Sequence, residues 1–259
     1  MYFYFFVVSF LSSVIGSICG IGGGVIIKPV LDLFQMGNAA TINFLSGCTV
    51  LSMSFYSVSK AILNKDSKVN MAIGTPLAIG AALGGLLGKA MFNFVRCLFT
   101  NNQMVSGVQA IALGIITTGT LFYTVIKVKI TSRNCTDKLF CALVGLVLGI
   151  FSSFLGIGGG PINLVVLHYF FSMDTKTAAS NSLYIILFSQ IASLISTLIS
   201  GVPEFAPMTL ALMVAGGISG GITGRCVNRI IDNHTVDRLF ICLMVIIIGI
   251  CVFNVVHAF

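Results

Sequence analysis

The residues of this chain that are best suited to bind an anion are two glycine clusters lying between apolar runs. Residues 20–24 read Gly-Ile-Gly-Gly-Gly, and residues 156–160 repeat the same letters 136 positions later. Three glycines in a row interrupt a helix, and the helix that follows offers unpaired N–H groups and the positive end of its dipole. We therefore predict that the backbone of these triplets binds negative charge: Gly22, Gly23 and Gly24 in the first cluster, and Gly158, Gly159 and Gly160 in the second.

Three asparagines near the clusters are candidates to complete such a site. Asn43 and Asn181, 138 positions apart, each lie early in the helix predicted after a cluster, and Asn163 follows Gly160 by three positions. Polar side chains are costly in lipid and commonly have a function there. Their amides are suited either to hydrogen-bond substrate oxygens or to bond neighbouring helices, and the sequence leaves both interpretations open.

A single lysine accompanies the first cluster. Lys28 follows Gly24 by four positions, whereas the residue 136 positions after Lys28 is Leu164. Only one cluster would therefore gain a positive charge, and we include Lys28 among the candidate substrate-binding residues. Lys89 and Arg225 also lie in or near apolar runs, but long basic side chains commonly extend to the membrane interface, which is the interpretation we favour for both.

The composition indicates a membrane protein. Hydrophobic residues make up 57% of the chain, charged residues only 8%, and the mean hydropathy is +1.06. Backbone polar groups in lipid must bond within the chain, so the apolar runs predict helices. Most runs are close to the roughly 20 residues that cross about 30 Å of hydrocarbon. They cover residues 2–19, 41–63, 71–95, 103–126, 139–155, 178–200, 206–224 and 239–257.

The chain also contains an internal duplication. Residues 84–89 read Gly-Gly-Leu-Leu-Gly-Lys and lie 136 positions before residues 220–225, which read Gly-Gly-Ile-Thr-Gly-Arg. We predict two transmembrane repeats, residues 1–130 and residues 131–259. The glycines that recur every fourth residue near these segments, among them Gly84 and Gly220, are typical of closely packed helices rather than of a binding site.

The distribution of lysine and arginine decides between two topologies. If all eight runs cross the membrane, the 14 basic residues divide seven to seven, against the rule that they accumulate on the cytoplasmic side. If each glycine cluster is instead the tip of a hairpin, only Lys28, Lys89 and Arg96 remain outside. We therefore predict an all-α polytopic membrane protein of two inverted repeats, each a glycine-tipped re-entrant hairpin plus three transmembrane helices. Eight full spans are the alternative.

Segment lengths agree with the hairpins. Residues 25–34 and 161–170 would form helices about 15 Å long, which is half a bilayer. Residues 2–19 are long enough to span, and no basic residue precedes them as in a signal peptide, so we expect them to be retained.

Several functions are disfavoured by residue placement. All seven acidic residues fall in predicted loops or at segment ends, which argues against a relay of buried carboxylates and against a cation transporter. The eight cysteines and three histidines lack metal-ligand spacing, so we predict no metal, no cofactor and no enzyme activity. The net charge of +7 lies mostly in predicted cytoplasmic loops, where it sets orientation and does not imply nucleic-acid binding.

The doubled Gly-x-Gly-Gly-Gly pattern, in a chain of this length, resembles the sulfite exporter TauE/SafE permeases. The resemblance extends over essentially the whole chain, although Pro29 in the first half has no counterpart at Val165, and the second half places its proline at Pro161. It implies a multi-pass permease in the cell membrane, in a bacterium the inner membrane, that transports sulfite, a sulfonate or a related organic anion. The partners implied are the lipid bilayer and a small anionic substrate; a homo-oligomer is left open.

Two other functions remain as alternatives. A passive anion channel could line a continuous pore with the same glycines. An intramembrane serine protease would need a Gly-x-Ser-Gly segment, and residues 217–220 have that form, but a nucleophile also needs a base within reach, and the following helix offers only His257 at its far end. We favour a carrier that holds the anion between the two clusters near the midplane of the membrane.

Overall fold

The fold is entirely helical in the computed structural model, which describes residues 2–34, 36–63, 69–99, 102–127 and 130–258. The described part of the chain contains ten helices: α1 (Tyr2–Cys19), α2 (Gly24–Leu33), α3 (Ala39–Leu63), α4 (Met71–Leu98), α5 (Asn102–Ile126), α6 (Lys138–Leu155), α7 (Pro161–Phe171), α8 (Thr175–Ser200), α9 (Pro207–Ile230) and α10 (Asn233–Ala258). Lys65, Lys68, Lys129 and Asp66, which entered the charge and acidic-residue arguments, lie outside the described residues.

Seven of the described helices are long and apolar enough to cross a membrane: α1, α4, α5, α6, α8, α9 and α10. They include α1 and α6, the first arms of the two predicted hairpins, each of which has 18 residues. α3 is not among the seven although it has 25 residues, and serines, threonines and Asn43 lie along it. α2 and α7 have 10 and 11 residues, close to the two ten-residue arms that the sequence predicts.

The two halves pack against each other through glycine-lined helix pairs. α4 packs along α6, and α1 packs along α9. A Cβ atom added at Gly84 would lie 2.0 Å from the carbonyl oxygen of Leu146, and one added at Gly220 would lie 2.4 Å from that of Phe10. The glycines that recur every fourth residue therefore allow the backbones of two helices to touch, as predicted.

Each glycine cluster forms a sharp turn between a long helix and a short one. The first glycine turn, residues 20–23, joins α1 to α2, and the second, residues 156–160, joins α6 to α7. Gly20 and Gly22 have φ angles of +73° and +78°, and Gly156 and Gly158 have φ angles of +65° and +79°. Only glycine adopts this left-handed conformation without strain, which explains why the same letters occur at both turns.

Both turns lie halfway along α3 and α8. Val50 of α3 and Ile186 of α8 each contact both turns, and each is the twelfth residue of a helix of 25 or 26 residues. Residues 20–24 and 156–160 are buried throughout. The two turns therefore meet inside the protein, far from either end of the long helices.

The contacts correct one equivalence drawn from the sequence. A Cβ at Gly156 would lie 2.3 Å from the Asn43 amide oxygen, whereas a Cβ at the matching Gly20 would lie 2.2 Å from Cα of Ala179. Because α3 and α8 begin 136 positions apart, at Ala39 and Thr175, the counterpart of Asn43 is Ala179 and not Asn181. The spacing of 138 between the asparagines was a chance alignment.

Candidate functional site

The two predicted glycine triplets lie against each other. The Gly160 N–H donates to the carbonyl of Ile21 at 3.3 Å, and a Cβ at Gly24 would lie 2.4 Å from the Ile157 carbonyl oxygen. The carbonyl of Gly23 accepts from Ile26 and Ile27, as expected at the start of a helix. In this arrangement the turns close on each other, and the Gly160 N–H is already bonded to protein.

A cavity lies beside the second turn rather than between the turns. The inner cavity, about 20 Å³ in volume, is lined by Gly156, Asn43, Ser153, Gln190 and Lys89, among others. The Asn43 amide nitrogen and oxygen and the Ser153 hydroxyl are buried there without a hydrogen-bond partner among the described residues. Buried polar groups are almost always paired, so a cluster of unpaired ones indicates a place for a water or a ligand.

Lys89 connects the inner cavity to a larger space. The outer cavity, about 350 Å³ in volume, is lined by Lys89, Phe92 and Arg96 of α4 and by residues at the C-terminal end of α8. Only 8% of Lys89 is exposed, and its ammonium lies 5.1 Å from the centre of the Phe92 ring. No carboxylate of a described residue lies within 4 Å of it. Lys89 thus lies inside the protein and not at the interface position that the sequence favours.

A matching cavity opens on the opposite face around Arg225, which is 136 positions after Lys89. The Arg225 cavity, about 270 Å³ in volume, is also lined by Ser17, Ser57, Lys176 and Arg229. Ser17 lies 136 positions before Ser153. The Arg225 cavity and the inner cavity therefore each combine a cation with a serine that precedes a glycine turn. Arg225 differs from Lys89 because its Nη1 donates to the carbonyl of Ser57 at 2.6 Å.

Lys28 is occupied by protein partners. Its ammonium donates to the side-chain oxygen of Gln109 at 2.8 Å and pairs with Asp32 at 3.3 Å, with 4% and 8% of the Lys28 and Asp32 side chains exposed. Asp32 also accepts from the hydroxyl of Ser106. Asp32 lies at the C-terminal end of α2, as the sequence predicts, with its side chain largely enclosed. The structure does not bring Lys28 to the cavities beside Lys89 or Arg225.

The two remaining asparagines have structural partners. The Asn181 side chain accepts from the Asn70 N–H and donates to the carbonyl of Thr177, so it joins α8 to the start of α4. Asn163 donates to the hydroxyl of Ser182 at 3.3 Å, while its amide oxygen is buried without a partner. A Cβ at Gly159 would lie 3.0 Å from the Asn163 nitrogen, which places this amide at the second turn.

The sequence arguments did not select three polar residues that line the inner cavity, Ser153, Gln190 and Lys89. One available signal was the serine three positions before each glycine cluster, since Ser17 and Ser153 share that place. For Gln190 no repeat signal exists. Its contact with the hydroxyl of Ser152 depends on how α6 and α8 pack.

Comparison with known proteins agrees with this architecture. A sequence profile of the family described as "Sulfite exporter TauE/SafE" matches residues 5–250. The "Probable membrane transporter protein YunE" of Bacillus subtilis (strain 168) is 25% identical over 210 residues, which cover 71% of this chain and 74% of that protein. No solved structure shows a significant match. Because the family profile covers nearly the whole length of a chain rich in membrane-spanning helices, the protein belongs to the sulfite exporter TauE/SafE family and is a multi-pass membrane protein.

Proposed function

We propose that this protein is a permease that carries a small sulfur-containing or organic anion across the cell membrane. The observation that supports it best is the inner cavity, where a buried cation and unpaired amide and hydroxyl groups lie together beside a glycine turn. Those groups can replace the water that surrounds an oxyanion in solution. The family name and the name of the B. subtilis relative support a transport function.

The pairs of helix ends that line the same cavity support an inverted repeat. The Arg225 cavity combines Ser57, near the C-terminal end of α3, with Lys176, at the N-terminal end of α8. The outer cavity combines Ala40, at the N-terminal end of α3, with Ser200, at the C-terminal end of α8. α3 and α8 occupy matching places in the two halves and run in opposite directions, as inverted topology requires. The basic face around Arg225 is then cytoplasmic.

The short helices α2 and α7 support the two re-entrant hairpins. A helix of 10 or 11 residues is about 15–17 Å long and cannot cross the hydrocarbon region. The first turn folds back onto α1, because a Cβ at Gly16 would lie 2.5 Å from the nitrogen of Gly23. The turns would then lie near the midplane, where broken backbone is tolerated because protein surrounds it.

A carrier is favoured over a passive channel because the glycine turns close the centre of the protein. The hydrogen bond from Gly160 to Ile21, together with Val50 and Ile186 packed on both turns, separates the cavities of the two faces. Alternate exposure of the site would require this contact to open towards one face at a time. A channel would keep it open towards both faces.

The protease alternative receives no support from Ser219. Its hydroxyl donates to the carbonyl of Ala215 in the same helix at 2.7 Å, which is ordinary for serine in a membrane helix. Among the described residues, no histidine forms a hydrogen bond with Ser219.

Flux into proteoliposomes tests the proposed function. Purified protein is expected to give saturable uptake of at least one labelled anion among sulfite, thiosulfate, sulfate and a sulfonate, and an imposed pH gradient would reveal proton coupling. Gly23→Val and Gly159→Val should abolish uptake because the added side chains collide with Ser13 of α1 and Ile186 of α8, which pack against the two turns. Gly249→Val is the control, since nothing lies within 4 Å of a Cβ at that position. Non-saturable flux would favour the channel, and no flux in folded protein would contradict the substrate class.

A further inference from the structure

Lys89 is a buried cation for which the fold provides no counter-charge among the described residues. It lies nine residues before Leu98, the last residue of α4, so about 14 Å from the end of that helix. An ammonium group at this depth is costly unless it is paired or solvated. The ring of Phe92 offsets part of this cost, and the remaining N–H groups face the cavities.

Two other basic residues in the apolar helices have polar partners, which Lys89 lacks among the described residues. Lys28 has Asp32 and Gln109 as partners, and Arg225 donates to the carbonyl of Ser57. Lys89 has only the face of an aromatic ring among its described contacts. An absent partner at a buried cation beside two cavities points to an anionic ligand.

Unpaired polar groups line the same inner cavity as Lys89. Asn43 and Ser153 are 5% and 3% exposed, and their side-chain polar atoms lack partners. The amide NH₂ and the hydroxyl are hydrogen-bond donors, so with the ammonium of Lys89 they supply donors from α3, α4 and α6. Three helices that converge on one small volume can bind several oxygens of one anion.

The sizes of the two cavities indicate how such an anion would sit. The inner cavity of about 20 Å³ holds little more than one oxygen atom or water molecule, whereas the outer cavity of about 350 Å³ holds a whole small anion. Lys89 lines both. One oxygen would enter between Asn43 and Ser153, while the rest of the anion stays in the outer cavity.

We propose that Lys89, Asn43 and Ser153 form an anion-binding site at the junction of the two cavities, on the face opposite to Arg225, that takes a small oxyanion through its oxygens. The proposal rests on the proposed transport function and adds to it a specific cation. It also assigns the ligand to the side of the second turn rather than to the contact between the turns. Arg96 also lines the outer cavity, but among the described residues Lys89 is the only cation that lines both cavities, so we expect binding to depend on its charge.

Isothermal titration calorimetry on the full chain in detergent tests the site, with sulfite, thiosulfate, sulfate and methanesulfonate as probes. For the anion that the wild type binds, Lys89→Met is expected to weaken binding about tenfold or more, because a charge-assisted hydrogen bond is lost. Lys89→Arg should stay within about threefold, since it keeps the charge. Lys60→Met is the matched control because Lys60 is exposed in the last turn of α3 and lines neither the inner nor the outer cavity.

A second readout separates a binding role from a structural one. Added inert salt screens a charge interaction, so the dissociation constant of the wild type should rise with ionic strength more steeply than that of Lys89→Met. Ser153→Ala removes only an unpaired hydroxyl and should weaken binding several-fold without lowering the unfolding temperature. This variant keeps the test valid if Lys89→Met fails to fold.

The outcomes distinguish the two proposals. If folded Lys89→Met binds the anion as tightly as the wild type, this site is overturned and the transport function is left standing. If the lysine variant does not fold, wild-type affinity in Ser153→Ala has the same meaning. Failure of folded wild-type protein to bind any of the four anions overturns the site together with the proposed substrate class.

Discussion

The two glycine clusters, residues 20–24 and 156–160, contain the same five residues in the same order, yet their backbones differ. In the first turn Gly23 is in the right-handed helical region with φ −66°, and α2 begins at Gly24. In the second, Gly159 and Gly160 have φ angles of +148° and +99°, and α7 begins one position later at Pro161. The residue before a proline is disfavoured in the helical region, so Gly160 cannot start the helix as Gly24 does. The residue that follows the motif therefore sets the geometry within it.

The short helices after the turns differ in charge as well. α2 contains the buried pair of Lys28 and Asp32, whereas the positions 136 residues later in α7 are Leu164 and His168. His168 contacts the hydroxyl of Tyr123 at 3.0 Å and has no carboxylate partner among the described ion pairs. Duplication thus preserved the backbone plan of the hairpins while their polar contacts diverged. Three experiments test this difference between the two halves of the protein.

The largest expected effect comes from Lys28→Met. This change leaves the Asp32 carboxylate buried without its cation, and removing one partner of a buried ion pair typically costs about 3–5 kcal/mol. Leu164→Met, at the matching position of the other short helix, is the control and should cost less than about 1.5 kcal/mol. Unfolding in detergent, followed by circular dichroism, measures both. Equal losses would mean that the charge difference between the two short helices has no energetic consequence.

An intermediate effect is expected from alanine in the turns. Gly159→Ala forces a side chain onto a backbone with φ +148° and places its Cβ 2.5 Å from Cγ1 of Ile186, which should cost about 2–4 kcal/mol. Gly23→Ala keeps an allowed φ and meets Ser13 Oγ at 3.0 Å, so about 1 kcal/mol is expected. The same unfolding assay compares them. A larger loss for Gly23→Ala would contradict the backbone difference described above.

The smallest expected change in stability concerns the two asparagines. Asn181→Ala removes the bonds to Asn70 and Thr177 and should lower the free energy of unfolding by about 1 kcal/mol. Asn43→Ala removes an amide without partners, so stability should be unchanged or slightly higher. Anion uptake should respond in the opposite order, with the larger loss in Asn43→Ala. If Asn43→Ala retained full uptake, Asn43 would have no part in substrate binding.

Much of the architecture could be predicted from residue types alone because it depends on local chemistry. Long apolar runs identify membrane helices, since an unpaired backbone is too costly in lipid, and the breaks at both glycine clusters follow from the glycines and Pro161. The close contacts of α4 with α6 and of α1 with α9 follow from glycines spaced by four. The choice of Gly22–Gly24 and Gly158–Gly160 as substrate contacts remains a prediction.

The tertiary structure alone decides which polar side chains line the same cavity. The sequence by itself determined that the chain is a helical membrane protein with two broken helices, because hydropathy and backbone preference are properties of each segment. It left open that Ala179 and not Asn181 matches Asn43, and that Lys89 and Ser153 line the same cavity. These facts depend on the rotation of each helix about its axis and on contacts between residues far apart in the chain. Such contacts are set by packing between the two halves, which no local pattern records.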